Sequence, residues 1–363
     1  MEFLTEYGLF LAKAITIVIA VGVVVGLILN SGQAAKKSAK GHIEVTKLND
    51  RFDEMKDFLK SCVLDEHRLK EEAKSEKKRL KKENTEKKKA AKAAKGQKVN
   101  VQSGEAVSAE TDEKRIFVIS FYGDIKASAT AHMKEEITAI LTVAKPQDEV
   151  VVKLESGGGM VHSYGFASSQ LARITAAKIP LTVCVDKVAA SGGYMMACVA
   201  DKIIAAPFAV LGSIGVVAQI PNFHRLLKKN DVDIEMITAG EYKRTLTMLG
   251  ENTEHGREKF LEDIEDTHEL FKEFVSSQRE QVDIVKVATG EVWFGQRALE
   301  VSLVDELQTS DDYLWQQAAN SDIYEIEYVL KKNFSQKLGF AAQEATDNLL
   351  VRWWGRLNNS RFF

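Results

Sequence analysis

The sequence predicts an α/β protein built on a largely parallel sheet. Short apolar runs have the length and composition of buried strands, and stretches with apolar residues at helical spacing separate them. Strands that alternate with helices are typical of βαβ units. The four prolines of the chain punctuate these elements, at Pro146, Pro180, Pro207 and Pro221.

The elements follow in a regular order after residue 112. Strands are predicted at residues 116–121, 149–154 and 181–185. Helices are predicted at residues 131–143, 164–177 and 254–277. We therefore assign residues 112–345 to one globular domain, which is long enough for a sizeable hydrophobic core.

Residues 1–30 are predicted to anchor the chain in a membrane. Residues 9–29 are apolar except for Lys13 and Thr16, and a helix of this length spans a hydrocarbon core of about 30 Å. A cleaved signal peptide is the alternative, and it fits less well because Glu2 and Glu6 occupy its usual basic region. The lysines that follow the apolar run favour a cytoplasmic C-terminal side.

Three further segments flank the predicted domain. Apolar residues from Ile43 to Leu59 predict an amphipathic helix within residues 31–65, which packs on a partner, a second copy or the membrane. Residues 66–111 form a Lys/Glu-rich linker without interleaved aromatics, which argues against nucleic-acid binding. The tail, residues 346–363, carries Trp353 and Trp354 beside arginines, which suits a membrane interface or docking on the protein itself.

The composition gives no sign of a metal or cofactor. Cys62, Cys184 and Cys198 are too widely spaced for a disulfide framework or a CxxC site. The histidines show no ligand spacing, and the glycines at 157–159 match neither a Walker motif nor a dinucleotide fingerprint. We predict neither a metal nor a cofactor.

Ser191 is the candidate nucleophile. It follows a predicted strand, has small neighbours on both sides and precedes a run that can form a helix. The Gly192 N–H would then face an anion formed near Ser191. A helix N-cap serine in a glycine turn is the alternative interpretation.

Lys243 is the candidate general base, because a neutral lysine can take a proton from a serine without help from histidine. A free lysine has a pKa near 10.4, and burial lowers that value by up to about 3–5 units. We expect Tyr242, Leu246 and Met248 to supply apolar walls around it. A surface lysine in a loop is the alternative, and a triad with His162 or His224 is another.

Several segments together resemble the signal peptide peptidase A family of serine–lysine proteases. They include Ala-Ala-Ser191-Gly-Gly-Tyr, the run 201–207, Gly-Ser-Ile-Gly at 212–215, Gly-Glu-Tyr-Lys243 and the run 289–305. The resemblance covers about residues 112–310. It implies a ClpP/crotonase-type fold of stacked βαβ units, with Ser191 as nucleophile and Lys243 as general base.

The same resemblance implies oxyanion donors from Gly192 and Gly158. The family's Ser-Pro-Gly-Gly motif reads Ser156-Gly157-Gly158-Gly159 here, so the glycine loop differs from the family pattern. Arg244 stands where the family has a serine after Tyr-Lys, so the surroundings of Lys243 differ from it as well. The resemblance also implies a homo-oligomer, with both catalytic residues in one domain. A periplasmic catalytic domain on a bacterial inner membrane follows from it, whereas the lysine flank favours the cytoplasm.

The sequence thus predicts a membrane-anchored serine endopeptidase that acts on unfolded or membrane-derived peptides, including signal-peptide remnants. Two alternatives belong to other classes. One is a non-catalytic membrane scaffold that retains the peptidase fold, with the linker and tail as its working parts. The other is a crotonase-like acyl-CoA enzyme, since proteins of one fold carry out different functions.

Overall fold

The structure is a computed structural model that describes Thr16 and residues 41–65, 67–68, 78 and 114–330. The chain divides into two compact units. Val45–Glu327 form the larger unit, which holds every candidate site residue. Met1–Glu44 and Tyr328–Phe363 form the smaller one, in which the Gly41 N–H donates to the Tyr328 hydroxyl at 3.1 Å.

The strands and helices alternate through the described part of the chain. The strands are β1 (Gly41–Lys47), β2 (Arg115–Gly123), β3 (Glu149–Ser156), β4 (Leu181–Val185), β5 (Val188–Ala190), β6 (Lys202–Ala205), β7 (Val210–Gly212), β8 (Val292–Phe294), β9 (Glu306–Leu307) and β10 (Asp322–Leu330). The helices are α1 (Leu48–Val63), α2 (Thr130–Leu141), α3 (Val161–Ala176), α4 (Gly192–Ala197), α5 (His224–Lys229), α6 (Glu254–Gln278), α7 (Ile284–Val287), α8 (Gly295–Glu300) and α9 (Ser310–Gln317).

The sheet forks at the carboxyl end of β3. Its main path runs in the order β1-β10-β2-β3-β4-β6-β9, while β5 leaves this path to pair with β3 and β7, and β7 pairs with β8. The pairs from β10 to β9 and the pairs of β5 are parallel, and β7 with β8 is antiparallel. The predicted mixed α/β class with a largely parallel sheet is confirmed.

The core explains why the central strands read as continuous apolar runs. β4 is buried throughout and β2 and β3 are buried along most of their length, as parallel strands covered by helices are. Helix α2 buries Met133, Ile137 and Ile140, and α3 buries Leu171 and Ile174. Each such side chain stabilises the fold by about 1.5–3 kcal/mol. The ends of these helices and strands lie within three residues of the predicted ones.

The amphipathic segment before the linker differs from its prediction in its first part. A helix does run over Leu48–Val63, but residues 41–47 form strand β1. The helical prediction for Ile43 and Val45 is therefore wrong. These β-branched residues alternate with polar neighbours, and that period of two suits a strand better than a helix.

Part of the apolar face of α1 packs within the same unit. Leu48 is buried and Phe52 lies against the same core, with its ring 5.4 Å from that of Trp315 in an edge-on arrangement. Met55, Phe58 and Leu59 stay exposed. The apolar residues at the start of this helix are therefore spaced for packing inside the larger unit.

Other predictions concern residues that lie outside the described ones. They are the membrane anchor over residues 1–30 apart from Thr16, most of the 66–111 linker and the 346–363 tail. Within the described residues, no helix combines the length and apolar character needed to cross a membrane. The same residues contain no cluster of three or more His, Cys, Asp or Glu side chains suited to a metal ion.

Candidate active site

Ser191 lies at a sharp turn between strand β5 and helix α4. Its backbone has φ 52° and ψ −119°, a region that residues other than glycine rarely adopt. The Ser191 N–H donates to the Gly212 carbonyl at 2.7 Å, and the Ser191 carbonyl accepts from the Met195 N–H at 3.0 Å. Both sides of the turn are thus fixed, and such strain concentrates where geometry serves function.

Helix α4 is buried, while Ser191 itself keeps partial access to solvent. Because α4 begins at Gly192, the Gly192 N–H has no acceptor within the helix. Cys198, at the other end, is inert, since burial raises its thiol pKa to about 12. The helix therefore presents one N–H next to the serine and no competing nucleophile.

The sheet fork brings the glycine loop against Ser191. Residue Ser156 at the end of β3 pairs with Ala189 in β5, two residues before Ser191. Gly158 has φ +86°, and a Cβ added there would lie 2.6 Å from the Gly192 nitrogen and 2.9 Å from the Ser191 Cβ. Only glycine fits this close approach. The predicted neighbourhood of the loop, Ser191 and Gly192 is present.

The N–H of Gly158 is engaged inside its own loop. It donates to the Ser156 hydroxyl at 3.1 Å. The prediction that this N–H serves as an oxyanion donor therefore fails for the described conformation. The next residue, Gly159, lines the pocket beside Ser191, and its N–H donates to no acceptor in the described part of the chain.

A small, mainly apolar pocket opens beside Ser191. Loops and helices distant in sequence build it, since one wall follows β7 and another belongs to α6. His268 in α6 donates from a ring nitrogen to the Ile214 carbonyl at 3.2 Å and ties these two walls together. The lining residues are Gly159, Val161, Ser191, Gly192, Met195, Gly215, Val216, Thr267 and Phe271.

Lys243 lies in a turn of the long connection between β7 and α6, with its side chain exposed. Its N–H donates to the Gly240 carbonyl at 3.3 Å. The apolar enclosure expected around it is missing in the single chain, where Tyr242 is 49% and Met248 48% exposed. Among the described residues, no hydrogen bond joins Lys243 to the Ser191 hydroxyl.

Neither His162 nor His224, the two histidines considered as triad members, makes a contact with Ser191 in the described part of the chain. His162 is an exposed residue at the start of α3, and His224 begins α5. The neighbours that sequence reasoning missed are Tyr164, Thr267 and Phe271. Their spacing along the chain carries no signal, because the fork of the sheet and the packing of α6 bring them to the site.

Comparison with known proteins identifies the family. The model "Peptidase family S49 N-terminal" matches residues 2–171, and "Peptidase family S49" matches residues 173–323. The chain belongs to peptidase family S49. A Haemophilus influenzae protein described as a probable protease SohB is 50% identical over 354 residues, which is 97% of this chain and 96% of that protein.

Another S49 relative comes from Buchnera aphidicola subsp. Schlechtendalia chinensis and is also described as a probable protease SohB. It is 46% identical over 314 residues, covering 86% of this chain and 99% of the relative. A solved structure of the 1510-N membrane-bound stomatin-specific protease with a substrate peptide shares 13% identity at a TM-score of 0.39, covering 62% of this chain and 96% of that one. A likeness that weak carries no weight here.

Proposed function

We propose that this S49 protein is a membrane-anchored serine endopeptidase in which Ser191 is the nucleophile. The observation that carries the proposal is the strained backbone of Ser191 at a strand-to-helix turn, with Gly192 and the glycine loop packed against it. The same geometry exposes the nucleophile in other serine hydrolases. The forked parallel sheet also fits the ClpP/crotonase-type fold that the family resemblance implies.

The reaction requires a base, a nucleophile and donors to the oxyanion. Lys243 takes the proton of the Ser191 hydroxyl as its oxygen attacks the scissile carbonyl. The Gly192 N–H, joined by that of Gly159 in place of Gly158, donates to the negative oxygen of the tetrahedral intermediate. The protonated Lys243 then returns its proton to the leaving amine, and water releases the acyl group from Ser191.

Lys243 is exposed to water in the single chain, whereas the proposed dyad needs this lysine in its neutral form. The connection between β7 and α6 leaves many apolar side chains in water, including Val217 at 91% and Ile237 at 93% exposed. Contiguous exposed apolar surface is typical of interfaces. We propose that the chain assembles as a homo-oligomer that covers this connection and removes water from Lys243, because desolvation favours the neutral amine.

The substrates we propose are unfolded or membrane-derived peptides, including signal-peptide remnants. The pocket beside Ser191 is mainly apolar but has a volume of only about 20 Å³, so it suits no more than a small apolar side chain such as that of alanine. An anchor at residues 1–30 of the chain would hold the enzyme at the bacterial inner membrane, with the peptidase unit on its periplasmic side. We propose no nucleic-acid partner, metal or cofactor for this chemistry.

The proposal is tested with the full chain purified in detergent. Hydrolysis of a denatured, fluorescently quenched protein is compared between wild type, Ser191→Ala, Lys243→Ala and the control Lys134→Ala, an exposed lysine of α2 outside that connection. We expect losses of about 10⁴-fold or more for the first two and little change for the control. Labelling by a fluorophosphonate probe, which reports nucleophile activation separately, should vanish in Ser191→Ala.

Each other outcome has a definite meaning. Turnover that survives in both dyad variants would show that the wrong residues have been chosen. A folded, oligomeric wild type that neither hydrolyses the substrate nor labels at Ser191 would favour the non-catalytic scaffold, which the exposed Lys243 of the single chain also permits.

A further inference from the structure

We propose that Tyr164 and Ser156 are positioning residues that hold the glycine loop in the shape the oxyanion site needs. The inference deepens the proposed peptidase function and rests on it for its kinetic consequences. Its structural basis is a chain of buried hydrogen bonds from the loop to the turn after β2. Neither residue touches the pocket beside Ser191.

The chain of hydrogen bonds has one possible direction. The Tyr164 hydroxyl is 2.7 Å from the Asp124 carbonyl, which can only accept, so Tyr164 donates there. The Ser156 and Tyr164 hydroxyl oxygens are 2.6 Å apart, and Ser156 must donate because the single tyrosine proton is already used. The Gly158 N–H then donates to Ser156 at 3.1 Å.

Both hydroxyl groups lie in the interior. Tyr164 is fully buried and Ser156 is 2% exposed, so removing the Tyr164 hydroxyl leaves the Ser156 hydroxyl without water to replace its acceptor, and removing the Ser156 hydroxyl takes away the acceptor of the Gly158 N–H. Burial also raises the pKa of the Tyr164 phenol, which therefore remains a neutral donor. A satisfied network of this kind is rigid, and a partly satisfied one is costly.

Glycines on three sides make room for this pair. A Cβ at Gly123 would lie 2.5 Å from the Tyr164 hydroxyl oxygen and closer still to the Ser156 hydroxyl oxygen. A Cβ at Gly192 would lie closer to the Tyr164 ring than van der Waals contact allows, and one at Gly193 would lie too close to the Ser156 carbonyl oxygen. The pair is thus clamped between the end of β2 and the first turn of α4.

The turn after β2 supports the loop at a second point. The Met160 N–H donates to the Ile125 carbonyl at 2.9 Å, and Gly159 packs on the same carbonyl. The Asp124 carboxylate stabilises this turn through the backbone N–H and hydroxyl of Ser128. Two anchors therefore hold Gly158 and Gly159: the hydroxyl chain on one side and the Met160–Ile125 hydrogen bond on the other. Together they fix the position of the Gly159 N–H.

The first test measures loop order without relying on catalysis. Hydrogen–deuterium exchange of the peptide spanning residues 157–160 is compared in wild type, Tyr164→Phe and Ser156→Ala. Tyr164→Phe keeps the ring that packs on Gly192 and removes only the hydroxyl. We expect exchange of the two hydrogen-bonded amides in this peptide, Gly158 and Met160, to rise about tenfold in both variants, as the loss of one hydrogen bond predicts. Unchanged exchange would overturn the proposal even if the enzyme proved inactive.

The second test is kinetic and separates positioning from stability. We expect kcat to fall about 10- to 100-fold in each variant with KM nearly unchanged, since a misplaced oxyanion donor affects the transition state. Binding of a peptide boronate, which forms a tetrahedral adduct, should weaken in parallel. The double variant should lose no more than the worse single one, because both hydroxyls belong to one chain.

A matched control is available on the nucleophile helix. Tyr194 is also fully buried and donates its hydroxyl to the Leu303 carbonyl at 2.9 Å, away from the glycine loop. Tyr194→Phe should lower the melting temperature while kcat and exchange at residues 157–160 stay within about twofold. Equal kinetic losses in Tyr194→Phe and Tyr164→Phe would mean a general loss of stability and would refute the positioning role.

Discussion

At the scale of single residues, the site depends on places where a side chain is absent. Ser191 holds a positive φ because its turn is fixed by hydrogen bonds on both sides, while Gly158 and Gly192 leave room for that turn. Strain of this kind costs about 1–3 kcal/mol and persists only where the surroundings enforce it. The glycines should therefore tolerate substitution far less well than glycines elsewhere.

Gly192→Ala should test this dependence. The new Cβ would lie 2.8 Å from two Tyr164 carbons, its Cβ and a ring Cδ, and closer still to the ring Cγ, so ring and helix must separate. We expect a loss of about 1–3 kcal/mol in stability, as for other overpacked cores. Hydrolysis should also fall sharply because the Gly192 N–H moves. Urea unfolding and turnover of the quenched substrate measure the two effects.

Gly165→Ala is the control for that substitution. Gly165 lies within helix α3, where an added Cβ meets no atom within 4 Å. Alanine in a helix interior is more stable than glycine by about 0.5–1 kcal/mol, so this variant should gain stability and keep its activity. A Gly192→Ala enzyme that behaves like Gly165→Ala would refute the close packing described here.

At the scale of elements, the end of α6 is tied to the strands beside the site. Arg279, directly after α6, is 2% exposed and donates to both carboxylate oxygens of Asp305 at 2.8 and 2.9 Å. Asp305 also accepts from the Ile203 N–H in β6 at 2.7 Å. Because α6 supplies one wall of the pocket, this ion pair fixes that wall to the sheet.

Asp305→Asn should destabilise the protein in a pH-dependent way. Burial alone would raise the pKa of Asp305, but the Arg279 hydrogen bonds outweigh it and hold that pKa below its usual value. A carboxyl group whose pKa is lower in the folded than in the unfolded state stabilises the protein at pH values above its unfolded pKa of about 3.9. This stabilisation is lost as the pH falls through the folded pKa. We expect a deficit of about 2–3 kcal/mol at pH 7, allowing for the partly exposed carboxylate.

Urea unfolding at pH 7 and near pH 3 measures this deficit, which should shrink at the lower pH. Asp311→Asn is the control, because Asp311 is almost fully exposed and its contact with Lys153 spans 3.3 Å. Its loss should stay within about 0.5 kcal/mol at both values. Equal losses in the two variants would contradict a special role for the Arg279 pair.

The strands and helices differ in how well the sequence predicts them. Strands β2, β3 and β4 appear in the sequence as continuous apolar runs, and helices α2, α3 and α6 are long enough to show apolar residues at helical spacing. Strands β5, β7 and β8 have three residues each and carry no period, so the fork was not predictable. The Ser156–Tyr164 chain joins the ends of β2 and β3 to α3 through side-chain packing, which has no sequence period, so motif reading selected Ser191 as the candidate nucleophile and missed this support.

At the scale of the whole molecule, the single chain separates the well-packed peptidase core from an exposed connection. Residues 213–253 contain α5 and otherwise loops, and they carry Lys243. The spacing of motifs predicted a lysine next to the serine but could not predict what desolvates it. Desolvation depends on surfaces from other parts of the fold or from other copies, which local sequence does not encode.

Ile237→Asp tests whether assembly completes the site. Ile237 is 93% exposed in the single chain, so a charge there costs nothing in the monomer, whereas a buried carboxylate at an interface is strongly unfavourable. We expect light scattering of the detergent-purified chain to show smaller particles and hydrolysis to fall at least tenfold. Val285→Asp, in α7 and 84% exposed, should change neither. Full activity of a monomeric Ile237→Asp would show that one chain desolvates its own Lys243, and the assembly proposal would then fail.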